Sequence, residues 1–536
     1  MKLPTFRYKR ESIVGLQPSG WFRRFGCGFL PLMVATFTGL NVQQLFAAES
    51  ATSDTGIEQR MQELTPKLED YVGSGMKAFD VPGVAVGILV GDKLVYSKGY
   101  GVRRKGGQPV DTETIFQIGS TAKAFLATTI AIAVDRGKLH WDDRVVDLDP
   151  TFQVKDPWVT REFRVFDLLA QRSGLPPYAN DMLLILGFDE SALIRSLRYV
   201  EPVSSFRTTF AYTNITHLIA GRIVAKIEGL PDWNVVLREE LLDPLGMKQS
   251  SCTLEAIKAA TNHAEGYRYA PDGSIEVPFV QATYNFGGAG DINSNIDDMA
   301  RWIRLQLGNG SVDGQRIVSP ENLAVTRTPK VAINEKTAYA FGWIIVQTPN
   351  GNLVTHNGGE FGFGSYVGLE LDKHIGVIVL TNQNNVGFPD AIGAWILDQL
   401  LDSPPVDHVA ETLKQTTMKY SEEDKVFAKP ASPRPFPSIA LLGGSFVNPS
   451  FGRASLKKEG DALVLRLETG AELKLDQWDG DIFTAQLAPN GPFAPVVENL
   501  GPQPIGFVQF QMDKEGKLNR LRLSFVDNGA YEFLRE

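Results

Sequence analysis

The apolar period of this chain changes once, and that change divides it. Before residue 402, runs with helical spacing alternate with β-rich runs; after residue 437 the period is two throughout. A segment of period 3.6 cannot bury its apolar face as a strand, nor one of period 2 as a helix, so two unlike domains are required. Between them stand Pro404, Pro405, Pro430, Pro433, Pro435 and Pro437 with the charged run 421–425, which read as a helix and a stiff linker.

In the first domain the spacing predicts helices over 65–79, 120–136, 216–227 and 297–307. It predicts a hairpin over 83–100 about Gly91-Asp92, and strands over 343–347, 364–371 and 376–381. Strands at both ends with helices between them give an α+β fold whose antiparallel sheet joins the two ends of the domain. In residues 438–536 Leu463, Leu465 and Leu467 alternate, as do Leu473 with Leu475 and Leu521 with Leu523. Turn signals at 459–461, Asn490-Gly491 and 513–516 separate these runs, which predicts a small all-β barrel or sandwich without a helix.

Residues 1–48 read as a leader. Six cations precede or flank the apolar run 25–37, and Ala47-Ala48 offers small residues at a cleavage point. The run is shorter than the ~20 residues of a spanning helix and Pro31 interrupts it, although an uncleaved anchor stays open as the alternative. The expectation is an exported, periplasmic protein with no stable membrane span once the leader is removed. Without residues 1–48, Lys plus Arg falls to 47 and Asp plus Glu to 61, a net charge of −14. That surface argues against nucleic acid or an anionic membrane as partner. Cys252 is then the sole cysteine, so no intrachain disulfide forms, and the six histidines are scattered, so neither metal nor cofactor is expected.

Three short motifs carry chemistry. Ser120-Thr-Ala-Lys123 places a hydroxyl and an amine one helical turn apart, and a desolvated lysine can take the proton that makes serine nucleophilic. Ser455 and Lys458 share that spacing inside the β-rich domain, where it is decorative. Tyr212-Thr-Asn214 precedes a helix; its phenol could shuttle a proton and its amide could bind the lysine and a substrate carbonyl. Tyr178-Ala-Asn180 repeats the pattern in a Pro-rich loop suited to a rim. His356-Asn-Gly358-Gly359 begins a strand whose Gly359 N–H could face that of Ser120 as an oxyanion donor, with His356 as a further donor or positive charge. His374-Ile-Gly376 matches too, but in an exposed turn.

In this order the motifs resemble the serine β-lactamase and penicillin-binding peptidase superfamily, above all its class C branch. The resemblance runs over 57–400 and takes in Phe166–Pro176, Leu241–Met247, Gly287–Gly290, Asp298–Trp302 and Phe341-Gly-Trp343. It implies Ser120 as acylated nucleophile, Lys123 as general base, Tyr212 as proton shuttle, Asn214 as substrate and lysine ligand, and His356 with Gly358 as the third-strand element; with the Gly359 N–H, Asn214 and Gly358 make up the expected substrate-binding residues. Class C β-lactamases carry Lys-Thr-Gly where this chain has His-Asn-Gly, which turns the expectation from β-lactam hydrolysis toward the peptidase and esterase members. Residues 438–536 resemble the lipocalin-like barrel appended to D-amino-acid peptidase members, with 49–401 as the hydrolase domain and 402–437 as the linker. The expected function is a metal-free serine hydrolase acting through an acyl-enzyme on short peptides, including D- or non-standard residues. A carboxylesterase is the alternative, and a penicillin-binding sensor or weak β-lactamase the second. The expected partner is a small peptide or ester, and homo-oligomerisation is left open.

Overall fold

The computed structural model describes residues 42–436, 442–460, 462–526 and 529–536, with side chains from residue 59. Residues 1–41, which hold most of the expected leader, lie outside the described residues. Helix α1 (Val42–Phe79) leads into the hairpin β1 (Gly83–Val90) and β2 (Lys93–Gly101). A helical layer follows, with α2 (Ala122–Asp135), α3 (Asn214–Glu228) and α4 (Ile296–Leu307). The chain returns as β3 (Val331–Ala332), β4 (Thr337–Tyr339), β5 (Ile344–Thr348), β6 (Gly351–Glu360), β7 (Phe363–Glu370) and β8 (Ile375–Thr381), then α5 (Phe388–Leu400).

These strands form one eight-stranded antiparallel sheet in the order β2-β1-β8-β7-β6-β5-β4-β3. Every residue of β1 is buried, because both faces are covered and period-2 alternation splits its side chains between them. Val84, Val86 and Ile88 pack with Leu68 and Val72 of α1 and Ile392 and Ile396 of α5. Ala85 and Leu89 belong to the opposite core with Ile296, Met299 and Ile303 of α4. The i, i+3, i+4 spacing along α1 and α4 supplies the apolar stripe that each face needs.

After α6 (His408–Val426) the second domain is a closed barrel of β9 (Gly444–Asn448), β10 (Gly452–Glu459), β11 (Ala462–Leu467), β12 (Glu472–Asp479), β13 (Ile482–Leu487), β14 (Gly506–Met512), β15 (Leu518–Phe525) and β16 (Ala530–Arg535). Pairing of β9 with β16 closes it and leaves no free edge. Leu463, Leu465, Leu473, Leu521 and Leu523 fill it, as their alternation predicts. Two expectations fail here. Asn490-Gly491 does not turn a hairpin but opens a 3₁₀ turn and helix α7 (Ala494–Leu500), so the domain is not free of helix. The reason is local: Pro492 and Pro495 cannot donate to a strand ladder but suit the first turns of helices.

The barrel's core is continuous with that of the first domain. Phe451 meets Phe188 edge-on at 5.6 Å, Thr469 Oγ1 donates to Leu186 O, and Tyr531 OH donates to Asn180 Oδ1 at 2.8 Å.

Candidate active site

Ser120 sits in the 3₁₀ turn Gly119–Thr121, and Lys123 in the first turn of α2, so the two side chains share a face. Lys123 is wholly buried; its Nζ lies 3.0 Å from Ser120 Oγ and donates to Ala289 O at 2.6 Å. Burial pulls its pKa from 10.5 to about 7, against the opposing pull of Glu360, Asp181 and Asp291. With Ala289 taking one N–H, the neutral amine keeps a lone pair for the serine proton. Gly342, at φ +73, lets the β4–β5 turn press against the Lys123–Ala124 backbone, 2.5 Å from where a Cβ would stand. That contact gives the Phe341-Gly-Trp343 match a physical purpose.

The Tyr212 segment is clamped from below. Asp167, wholly enclosed, accepts from Arg207 Nε at 2.9 Å and Nη2 at 2.6 Å; Gln171 Oε1 accepts from Thr213 N at 2.5 Å, and Tyr178 N donates to Tyr212 O at 2.7 Å. Lys123 Nζ stands 4.8 Å from the Tyr212 ring centroid. Burial holds the phenol's pKa well above its ordinary value, and Ser120 is its hydrogen-bond partner, so the phenol keeps its proton at neutral pH. Asn214 reaches the site but spends its amide on Asp181 Oδ2 at 2.7 Å, and no hydrogen bond joins it to Lys123. Tyr178 lies on the rim, 37% exposed, its ring 5.6 Å from that of Tyr212.

Strand β6 abuts the Ser120 turn, backbone to backbone. Gly119 has φ +52, and a Cβ there would lie 2.7 Å from Gly359 N; Gly358 packs on Ile118 O, to which Ser365 Oγ donates at 2.6 Å. Gly359 itself is exposed. His356 is not at the strand's start but inside it, opposite Val367. Its Nδ1 lies 2.6 Å from Asn357 O, which can only accept, so Nδ1 carries the hydrogen. Nε2 is then the acceptor for Tyr339 OH at 3.1 Å. Burial, with Lys123 nearby, drives the imidazole pKa to about 3. The sequence expectation of a free donor or positive charge is therefore corrected: both ring nitrogens are spent within the protein and the ring is neutral.

Sequence reasoning missed several groups. Tyr339, wholly buried and bonded to His356 Nε2, lies outside every motif. Ala289 and Gln171 were part of matched segments without an assigned role. Asp181, Asp291 and Glu360 surround Lys123, and burial raises all three carboxyls, to about 6 for Asp181 and about 7 for Asp291. Only adjacency to Asn180, Gly290 and Gly359 pointed to them. The competing matches separate cleanly: His374 is exposed, and Ser455 and Lys458 lie on barrel strand β10. Among the described residues no group of three or more His, Cys, Asp or Glu could hold a metal, and no helix is long and apolar enough to cross a membrane.

An antiparallel sheet flanked by helices, with a serine and a buried lysine at a helix start facing a glycine-bearing strand, is the architecture of the β-lactamase-like hydrolases. The chain belongs to the Beta-lactamase family, whose model matches residues 68–401. It is 25% identical over 490 residues to unguisins hydrolase ungD of Aspergillus violaceofuscus, covering 82% of this chain and 86% of that one. It is 28% identical over 377 residues to penicillin-binding protein 4 of Amycolatopsis lactamdurans, covering 68% and 93%. The fold is shared with the octameric penicillin-binding protein homologue from Pyrococcus abyssi at TM-score 0.58 and 22% identity, over 88% of this chain and 100% of that one.

Proposed function

We propose that the protein is a serine peptidase that cleaves short peptides through an acyl-enzyme at Ser120. The observation that carries the reading is the wholly buried Lys123 amine 3.0 Å from Ser120 Oγ. Lys123 accepts the Ser120 proton as Oγ bonds to the substrate carbonyl carbon, and the carbonyl oxygen takes the electron pair beside the N–H groups of Ser120 and Gly359. When the oxygen's electron pair returns, the C–N bond breaks, and the leaving nitrogen takes the Lys123 proton relayed by the Tyr212 hydroxyl. Water then attacks the acyl-enzyme, gives its proton to the same pair, and the acyl–Oγ bond breaks to restore Ser120. His356 acts as a positioning residue with Tyr339.

A held, protonated phenol supports an amide substrate, since an amine must be protonated to leave whereas a phenolate or alkoxide has less need. Similarity to an unguisins hydrolase and a penicillin-binding protein supports hydrolysis at an acyl carbon. The test is mass spectrometry of one pool of L-peptides, D-containing peptides, p-nitrophenyl esters and a penicillin, with the protein and with Ser120→Ala. Peptide cleavage that falls by at least ~10³-fold in the variant is the expected result. Cleavage that survives in the variant refutes the nucleophile, Ser120-dependent ester turnover alone makes the protein an esterase, and a stable adduct without turnover makes it a sensor.

A further inference from the structure

Glu360 closes β6, two residues beyond Gly358 and four beyond His356, so strand alternation turns its side chain to the catalytic face with theirs. Asn357, of opposite parity, bonds instead to Asp390 of α5 on the sheet's other side, at 2.6 Å. The carboxylate lies over Gly290: a Cβ on that glycine would strike Glu360 Oε1 and stand 3.7 Å from Gly119 C. Glu360 is half-buried. Its Oε2 accepts from Thr283 Oγ1 at 3.1 Å, and Oε1 accepts from none of the described residues. No Lys or Arg among them pairs with it within 4.0 Å.

The site has two ends. About 13 Å of strand separates His356 from Glu360, and the Ser120 turn abuts the glycines between them. Tyr212 stands at the His356 end, with its ring centroid 6.3 Å from the imidazole. The leaving amine must reach Tyr212 for its proton, so the acyl portion of a substrate runs the other way, toward Glu360. Once ionised, Glu360 favours the ammonium form of Lys123 and so opposes its use as a base. A substrate cation paired with Glu360 removes that conflict.

On the reading that Ser120 is acylated, we infer that Glu360 determines acyl specificity by receiving a primary ammonium group on the acyl residue, that is, the free α-amine of a peptide. The protein is then an exopeptidase that releases amino-terminal residues. Thr283 orients the carboxylate, and the open Oε1 accepts the ammonium hydrogen bond.

The test uses the full chain, with Ala p-nitroanilide in both stereochemical forms, its N-acetyl derivative, the desamino analogue propionyl p-nitroanilide, and p-nitrophenyl acetate. Lysyl p-nitroanilide, N-acetylated at the α-amine, tests whether a side-chain ammonium can substitute. The wild-type protein should prefer one free-amine Ala substrate over the acetylated and desamino forms by at least ~30-fold in kcat/KM. Glu360→Gln should cut kcat/KM for Ala p-nitroanilide at least ~10-fold more than for the propionyl analogue, chiefly through KM, and Glu360→Asp should recover part of the loss. Equal losses on all substrates would show that Glu360 acts only through Lys123 and overturn the inference, as would a wild-type protein indifferent to the free amine. Preference for the α-acetylated lysyl substrate over the free-amine Ala form would overturn the α-amine assignment. Ser120-dependent turnover of p-nitrophenyl acetate without amine preference refutes this inference alone; turnover that survives Ser120→Ala refutes the catalytic reading beneath it.

Discussion

A serine hydrolase with a histidine beside its nucleophile invites assignment of any acid limb near pH 7 to that histidine, yet the structure assigns it to Lys123. Burial lowers the lysine from 10.5 to about 7, a shift worth about 5 kcal/mol at 1.36 kcal/mol per unit. The amine is wholly enclosed, so solvent does not screen that cost. His356 is pushed down as well, and out of range, to about 3, by burial and by the lysine itself. Lys123 must be neutral to accept the serine proton, so kcat/KM should be on its plateau above pH ~8 and fall tenfold per unit below ~7. At pH 5 the neutral fraction is ~1%, and activity should be ~100-fold below the plateau. The assay is kcat/KM for one neutral substrate from pH 4 to 9, repeated with His356→Gln, whose lower rate should retain the midpoint within ~0.5 unit. A midpoint below ~5, a two-proton slope, or a limb that moves with His356→Gln would refute the reasoning.

Three further predictions follow from the same geometry. Tyr212→Phe should lower amide turnover by at least ~100-fold and ester turnover less, whereas Tyr178→Phe on the rim should cost under ~5-fold; steady-state kinetics on matched anilide and ester substrates decides the ranking. Gly119→Ala should lower stability by about 2–5 kcal/mol, since the residue stands at φ +52 and a Cβ would sit 2.7 Å from Gly359 N; an unchanged Tm would contradict the backbone contact. Tyr531→Phe removes a barrel hydroxyl that donates to Asn180, the neighbour of Asp181, and should cost about 1 kcal/mol of stability and a few-fold in kcat/KM. Unchanged kinetics and Tm would show that the barrel does not support the site through that contact.

The elements that repeat locally were legible. Leu463, Leu465 and Leu467 point into the barrel because period 2 leaves a strand no other choice, and Ser120 and Lys123 share a face because three residues make nearly one helical turn. Helix α7 was not legible, because Asn490-Gly491 is equally a hairpin signal and only Pro492 and Pro495 favour the helix. The charge state of His356 was not legible for another reason. Its spacing relative to Gly358 places it on the strand, but its neutrality depends on burial beside Lys123, and the partner of its Nε2 is Tyr339, which reaches it across β5 from β4.

What the sequence alone determined is therefore the division into an α+β domain and an all-β domain, the order of the motifs, and the chemical types gathered at them. Those properties depend on neighbours within one turn or one strand. The tertiary structure decided that Tyr212 is the tyrosine bonded to Ser120, that Asn214 bonds to Asp181, and that burial brings the Lys123 amine to about 7 while holding the His356 imidazole neutral. Proton affinities and hydrogen-bond partners depend on how much water is excluded and which distant groups replace it, and packing supplies both.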